Sequence, residues 1–357
     1  MATPGASSID IVIVGAGQAG LIVSKLLSEA GREHVLLERR STLGGAWQDR
    51  WDTFRLVSPN WTASVRGYAY QGDDPDGFMT RDEVVSHFRG LAAAIHAPVE
   101  LDTEVRSLKP LESEARSGGR GRPLAAARFR IETSGGTFLA RTAIVAAGPF
   151  QVPHLPPMSV DLDPAISQVN VHAYRRAGQL PPGGVLIVGS GQSGVQLAEE
   201  LHAAGRAVTI AVGKCPRFPR TYRGRDVFWW LRQLATAGPS VGATLPTAAM
   251  LPDPRRRLAC NPQLSGHGQP HDIDLRLMAA SGIRLAGRLV AVEGTRVRFA
   301  PDLAASLTFA DRAFEERWQP AFDRFAAATG LGLPPDSLSS FAYDPPEIAD
   351  LDLAAEG

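Results

Sequence analysis

The sequence predicts an α/β fold built on two copies of one strand–turn–helix–strand unit. Three observations carry that prediction. The stretch Ile11–Gly20 (IVIVGAGQAG) returns as Val185–Gly194 (VLIVGSGQSG), at an offset of 174 residues. The register runs on without a gap, so Gly31-Arg32 matches Gly205-Arg206 and His34–Leu37 matches Val208–Ala211. Each copy sets a G-x-G-x-x-G turn between an apolar strand and an amphipathic helix. There the first glycine permits the tight turn, the second lets the backbone approach a pyrophosphate, and the third lets helix pack on strand. The unpaired amides at the helix start attract phosphates. Two such fingerprints in full βαβ context predict two dinucleotides and two Rossmann-like domains to hold them.

The copies differ where their ligands should differ. In the first, the second strand ends at Glu38, 23 residues past Gly15, close to the spacing of an acid that grips a free ribose. The matching position is Val212, followed by Lys214, Arg217 and Arg220. Cations without an acid suit a ribose 2′-phosphate. The first site therefore reads as FAD or NAD and the second as NADP, with an ordinary solvated basic loop as the alternative for Lys214 and Arg217. The candidate contacts are Gly15, Gly17, Gln18, Ala19, Gly20, Glu38 and Arg39 in the first copy. In the second they are Gly189, Ser190, Gly191, Gln192, Ser193, Gly194, Lys214 and Arg217.

The remaining elements follow in order. Thr80-Arg81-Asp82-Glu83 is a capping box opening a helix through about Ile95. Strands are expected at Val99–Val105, Arg128–Glu132 and Thr137–Ala140, with the polar stretch Glu112–Arg122 as a loop between them. The apolar run Ala143–Ala147 reads as a buried strand stopped by Gly148-Pro149. Residues 151–164, rich in proline, form a hinge. The second domain then carries helices at Asp226–Ala235 and Asp272–Ala280 and short strands within Arg284–Phe299. Asp302–Thr329 is helical, broken at Pro320.

Composition narrows the function class. Apolar residues make up 44% of 357, and 37 basic residues balance 37 acidic ones. That balance gives no argument for nucleic acid or an anionic membrane as partner. Met1–Ser8 is small and polar, and no run of about 18 apolar residues occurs. Cys215 and Cys260 lie far apart in sequence, so no disulfide framework is indicated and a reducing, cytoplasmic setting fits. They offer no C-x-x-C, which argues against a disulfide reductase. His267 and His271 stand among glycine and proline and read as loop histidines rather than metal ligands.

One constellation resembles a known family. Gly15–Gly20, Glu38, Gly44-Gly45-Ala46-Trp47, Val145-Ala-Ala-Gly-Pro-Phe150 and Gly189–Gly194 resemble the class B flavin-dependent monooxygenases, in particular the small bacterial flavoprotein oxidoreductases. The resemblance spans nearly the whole chain. It implies FAD on the first fingerprint, with Gly45 and Trp47 near the ribityl chain and ring and Val105 at the adenine. It implies NADPH on the second. By the same resemblance an NADPH domain (165–335, with a helical insertion) interrupts a three-layer FAD domain made of 1–150 and 336–357, and further FAD-domain segments lie beyond Gly357. The reaction implied is NADPH-dependent insertion of one oxygen from O2 into a small organic substrate, a heteroatom or a ketone, through a peroxyflavin.

The family's flavin-edge asparagine corresponds to Asn60, displaced by one residue. A catalytic amide and a plain turn residue after Pro59 both fit it. The family's F-x-G-x-x-x-H-x-x-x-[FY] motif is altered: Pro164, Ile166 and Asn170 stand at the first three positions and only Tyr174 survives. That loss keeps open a flavin-binding sensor or partner subunit with little turnover, and homodimerisation is left open as well.

Overall fold

The computed structural model describes residues 6–111, 127–150, 152–243, 248–251, 253–255, 259–266, 271–335, 338 and 341–356. The chain divides into two units, Met1–His154 and Leu155–Gly357, and the boundary falls inside the proline-rich segment. The expected loop Glu112–Arg122 and His267 lie outside the described residues.

The first unit begins with β1 (Ser7–Val14), α1 (Gln18–Glu29) and β2 (His34–Leu37). After them come α2 (Arg81–Ala94), β3 (Val99–Glu100), β4 (Val105–Pro110), β5 (Phe129–Thr133) and β6 (Thr137–Val145). They form one six-stranded sheet in the order β3-β2-β1-β6-β5-β4. β1 pairs in parallel with both β2 and β6, whereas β5 and β4 complete the sheet antiparallel. The run HVLL of β2 is buried throughout, as a central parallel strand must be. Val12, Val35, Leu37, Ile131 and Ala140 make the core. The capping box at α2 is present in full, with Thr80 and Glu83 reciprocally bonded.

Two expected strands, Thr137–Ala140 and Ala143–Ala147, are one continuous β6, because pairing with β1 carries the chain across Arg141 and Thr142. Its end is not buried: Val145 is 66% exposed.

The second unit repeats the opening as β7 (Val185–Val188), α3 (Gln192–Ala203) and β8 (Val208–Ala211). A short hairpin, β9 (Thr221–Tyr222) and β10 (Arg225–Asp226), leads to α4 (Val227–Thr236) and α5 (Leu275–Ala280). Then come β11 (Arg284–Ala286), β12 (Leu289–Glu293), β13 (Arg296–Phe299), α6 (Leu303–Arg317), α7 (Gln319–Thr329) and β14 (Asp350–Asp352). β11, β8 and β7 form a parallel sheet, and β12, β13 and β14 an antiparallel one. The helical pair divides at Trp318, with Pro320 in the first turn of α7 where its missing N–H costs nothing. Trp230 stacks on Phe322 at 5.2 Å beneath these helices.

One expected assignment is corrected here. The described residues of 336–357 belong to the second unit, not to the first. Leu351 of β14 pairs with Val297 and joins the core of Ala211, Ala286, Val292 and Phe299. Glu356 caps this by accepting the amide of Gly184 on its carbonyl and pairing its carboxylate with Arg284.

Candidate functional site

The two glycine loops share one backbone frame. Gly15 and Gly189 take φ of +102° and +105°, backbone that favours glycine. Their amides donate to the matching strand ends, Gly15 to the Leu37 carbonyl at 2.8 Å and Gly189 to that of Ala211 at 3.0 Å. A Cβ on Gly20 would lie 2.0 Å from the Gly15 oxygen, and one on Gly194 2.0 Å from the Gly189 oxygen. The third glycine of each fingerprint is thus required by the contact of helix on loop. α1 and α3 start at Gln18 and Gln192 with no side-chain cap; this leaves the first-turn amides of α1 to a ligand, whereas in α3 the Gln192 amide bonds the Cys260 sulfur. Gln18 and Ala19 are exposed there.

At the first loop, Glu38 is 6% exposed. Its Oε2 accepts the amide of Ala16 at 3.0 Å and its Oε1 that of Arg40 at 3.1 Å. One carboxylate therefore ties the glycine turn to the end of β2, and each oxygen keeps a lone pair for a further donor. Arg39 beside it is exposed. Gly45 comes against the same turn: a Cβ there would sit 3.1 Å from the Gly17 Cα. The two glycine motifs of this unit, separate in sequence, make one backbone-lined surface.

Trp47, Phe54 and Phe150 surround the guanidinium of Arg50 at 5.8, 5.6 and 4.8 Å. Arg50 Nε and Trp51 Nε1 are buried donors with no hydrogen-bond partner among the described residues. An aromatic-walled site with orphaned donors beside a glycine turn fits a dinucleotide that brings acceptors. The sequence reading missed Arg50, whose signal was only its place three residues after Trp47.

Val105 follows two residues after Thr103, which bonds the end of β2. It opens β4 on the far edge of the sheet and packs against the core; Asp102 and Thr103 are the residues whose amides meet the Arg40 and Glu38 carbonyls, at 3.0 and 2.8 Å.

Asn60 is 4% exposed and serves its own loop. Its amide nitrogen donates to the Asp74 carbonyl at 2.9 Å and the Tyr70 hydroxyl at 3.2 Å, and its oxygen accepts the Met79 amide. With both amide hydrogens engaged inside 60–79, the turn-holding reading is the one the geometry favours.

The second loop keeps the frame and changes the chemistry. Ser190 is 2% exposed, and its hydroxyl bridges the Gly213 amide and carbonyl, each at 3.2 Å. That does for the second copy what Glu38 does for the first, without a charge. Gly213 and the exposed Lys214 line a cleft of about 420 Å³ together with Arg288, Asp302 and Ala305. Lys214 can hold an anion there, whereas Arg288 is already paired with Asp302 at 3.5 Å; Arg288 was invisible to the sequence reading because it enters from the β11–β12 turn.

Arg217 must be withdrawn from this group. Its side chain is 14% exposed and is paired with Asp274 at 2.9 Å and Asp311 at 3.0 Å. Arg220 is likewise buried and bonds Asp226.

A segment with no counterpart in the first copy lies on the second loop. The Gln192 side chain donates to the Leu264 carbonyl at 2.6 Å and accepts the Leu264 amide at 2.9 Å. Gln263, fully buried, donates from its side chain to the Ser190 carbonyl. The same segment brings the two cysteines, far apart in sequence, together in space: the Cys215 and Cys260 sulfurs approach to 2.6 Å as free thiols.

Of the altered motif, Tyr174 is buried and bonds Glu200 on α3 at 2.7 Å, while Asn170 accepts the amides of His172 and Ala173 as a turn residue. His271 pairs with Glu199. Among the described residues no group of three or more His, Cys, Asp or Glu could hold a metal ion, and no helix is long and apolar enough to cross a membrane.

Comparison with known proteins extends this picture. Residues 12–232 match the pyridine nucleotide-disulphide oxidoreductase family. An uncharacterized CzcO-like oxidoreductase of Geobacillus kaustophilus is 33% identical over 238 residues, which is 66% of this chain and 64% of that protein. The chain thus spans less than two thirds of that relative's length. A flavin monooxygenase variant from Stenotrophomonas maltophilia superposes with a TM-score of 0.58 at 20% identity, covering 82% of this chain and 74% of that one. The bacillithiol disulfide reductase of Staphylococcus aureus gives 0.53 at 15% identity, over 83% and 72%. At these identities the likeness is one of fold.

Proposed function

Because this chain belongs to the pyridine nucleotide-disulphide oxidoreductase family, we propose that it is a flavin-dependent oxidoreductase, an NADPH-using monooxygenase acting on a small organic molecule. The observation that carries the reading is the asymmetry of two otherwise matching loops, an acid at Glu38 in one and the exposed cation Lys214 beside the other.

On this reading FAD lies on the first loop. The α1 amides and the Gly15–Gly17 turn hold its phosphates, Glu38 accepts from its adenosine ribose, and Gly45, Arg50 and Trp47 face the remainder. NADPH lies on Gly189–Gly194, with its 2′-phosphate beside Lys214. When bound, the flavin supplies hydride acceptance and reaction with O2. The protein would orient both cofactors, and the aromatic cluster of half-buried Trp47 with buried Trp51 and Phe54 would keep water from the reacting ring. A flavin monooxygenase and a disulfide reductase both share this fold, and the lack of a C-x-x-C favours the former.

The test is O2 uptake by the FAD-loaded chain with NADPH and with NADH. The reading expects steady uptake with a preference for NADPH of about tenfold or more. Equal rates with the two cofactors, or none with either, would contradict it.

A further inference from the structure

Cys215 and Cys260 are 45 residues apart, yet they meet directly beside the second glycine loop. Cys215 is buried just past the end of β8, whereas Cys260 is exposed. The Cys260 segment runs alongside 216–218: the Gln263 amide donates to the Pro216 carbonyl at 2.8 Å, and Phe218 returns a bond to Gln263 at 3.3 Å. It is also fastened to the loop itself through Gln192 and Gln263. As a result the Cys260 sulfur lies 3.4 Å from where a Cβ on Gly191 would stand. Gly191 is the second glycine of the fingerprint, where the backbone must be bare for a pyrophosphate.

We propose that this pair is a peroxide-oxidisable dithiol, and that its disulfide fastens Cys260 over Gly191 and closes the second loop to its dinucleotide. The gate rests on the reading of that loop as the NADPH site; the dithiol itself does not. The Cys260 thiol is lowered to about 7 by the hydrogen bond from Cys215, aided by the Gln192 amide at the start of α3, while that same contact and burial push Cys215 up. Cys260 therefore carries the thiolate and the exposure, and Cys215 keeps its proton.

The chemistry balances with hydrogen peroxide as oxidant. The Cys260 thiolate attacks one peroxide oxygen, the O–O bond breaks, and the leaving hydroxide takes a proton to become water. Cys215 then attacks the resulting sulfenic sulfur; the S–S bond forms, the S–O bond breaks, and the Cys215 proton leaves with the hydroxide as a second water. Two thiols lose two electrons and one peroxide becomes two waters. A small dithiol reverses the bond by exchange.

The test treats the full chain with hydrogen peroxide, counts thiols after denaturation, and measures NADPH binding before and after. Expected are loss of both thiols with loss of two hydrogen masses, an NADPH Kd raised about tenfold or more, and recovery with dithiothreitol. Cys215→Ser and Cys260→Ser should each leave NADPH affinity unresponsive to peroxide. Oxidation of Cys260 to sulfinic acid with Cys215 still titratable would overturn the pairing. A disulfide that forms with no change in affinity would overturn the gate. A disulfide that forms in a protein whose reduced state binds no dinucleotide would overturn the gate together with the reading of the loop.

Discussion

At Glu38 both carboxylate oxygens accept backbone amides, one from the glycine turn and one from Arg40, so the side chain shapes the loop it would use for ribose. Glu38→Gln keeps the shape but turns an NH2 toward one of those amides. FAD affinity should fall about tenfold or more, since hydrogen bonds to a charged acceptor are worth about 1.5–3 kcal/mol; flavin fluorescence titration reads this, and unchanged affinity would mean that the ribose is held elsewhere. At the second loop the two cations separate cleanly. Lys214→Ala should weaken NADPH about tenfold and spare NADH. Arg217→Ala should leave that preference intact and lower the melting temperature, because the buried Asp274 would lose its ion-pair partner, while Asp311 keeps Arg276. The reverse pattern would restore Arg217 to the phosphate. Arg217 could not be placed from sequence because both carboxylates that engage it come from distant parts of the chain.

Among the elements, α2 carries a titratable residue in its buried face. His87 donates from Nε2 to the Ala63 carbonyl at 3.1 Å and packs against Tyr68 and Phe88. Burial lowers its pKa, the bond to Ala63 opposing. The unfolded chain then binds the proton more readily than the folded one, so stability rises with pH up to the ordinary histidine value of about 6.5 and is lost as pH falls below it. Melting temperatures between about pH 7 and pH 5 should show that loss, and His87→Gln should flatten it; an identical slope in the variant would assign the loss to other groups. The glycine turns make a second prediction. Gly20→Ala and Gly194→Ala each force a Cβ onto a backbone oxygen at 2.0 Å, whereas Gly178→Ala meets nothing within 4 Å. The first two should each cost about 1–3 kcal/mol in denaturant unfolding and the third close to nothing. Equal effects at all three would show that the helix–loop contact does not constrain these positions.

Over the whole molecule, what was legible in the sequence is what depends on near neighbours. The doubled fingerprint, the capping box at Thr80 and the break at Pro320 are each written within a few residues, and each is present in the structure. What escaped depends on distant partners. β14 joins β13, so the end of the chain closes the second unit's core instead of the first unit's sheet. The Gln192–Leu264 clamp and the cysteine pair join segments with no periodicity of their own. Asn60 was open to two readings, and only its partners Asp74, Tyr70 and Met79 favour one.

The central claim is that one chain holds a flavin on its first loop and a hydride donor on its second, with electrons passing between them. Anaerobic mixing of the FAD-loaded chain with NADPH tests it most directly. The account predicts bleaching of the oxidised flavin absorbance to the two-electron reduced spectrum, faster with NADPH than with NADH. A flavin that stays bound and oxidised under excess NADPH would contradict it.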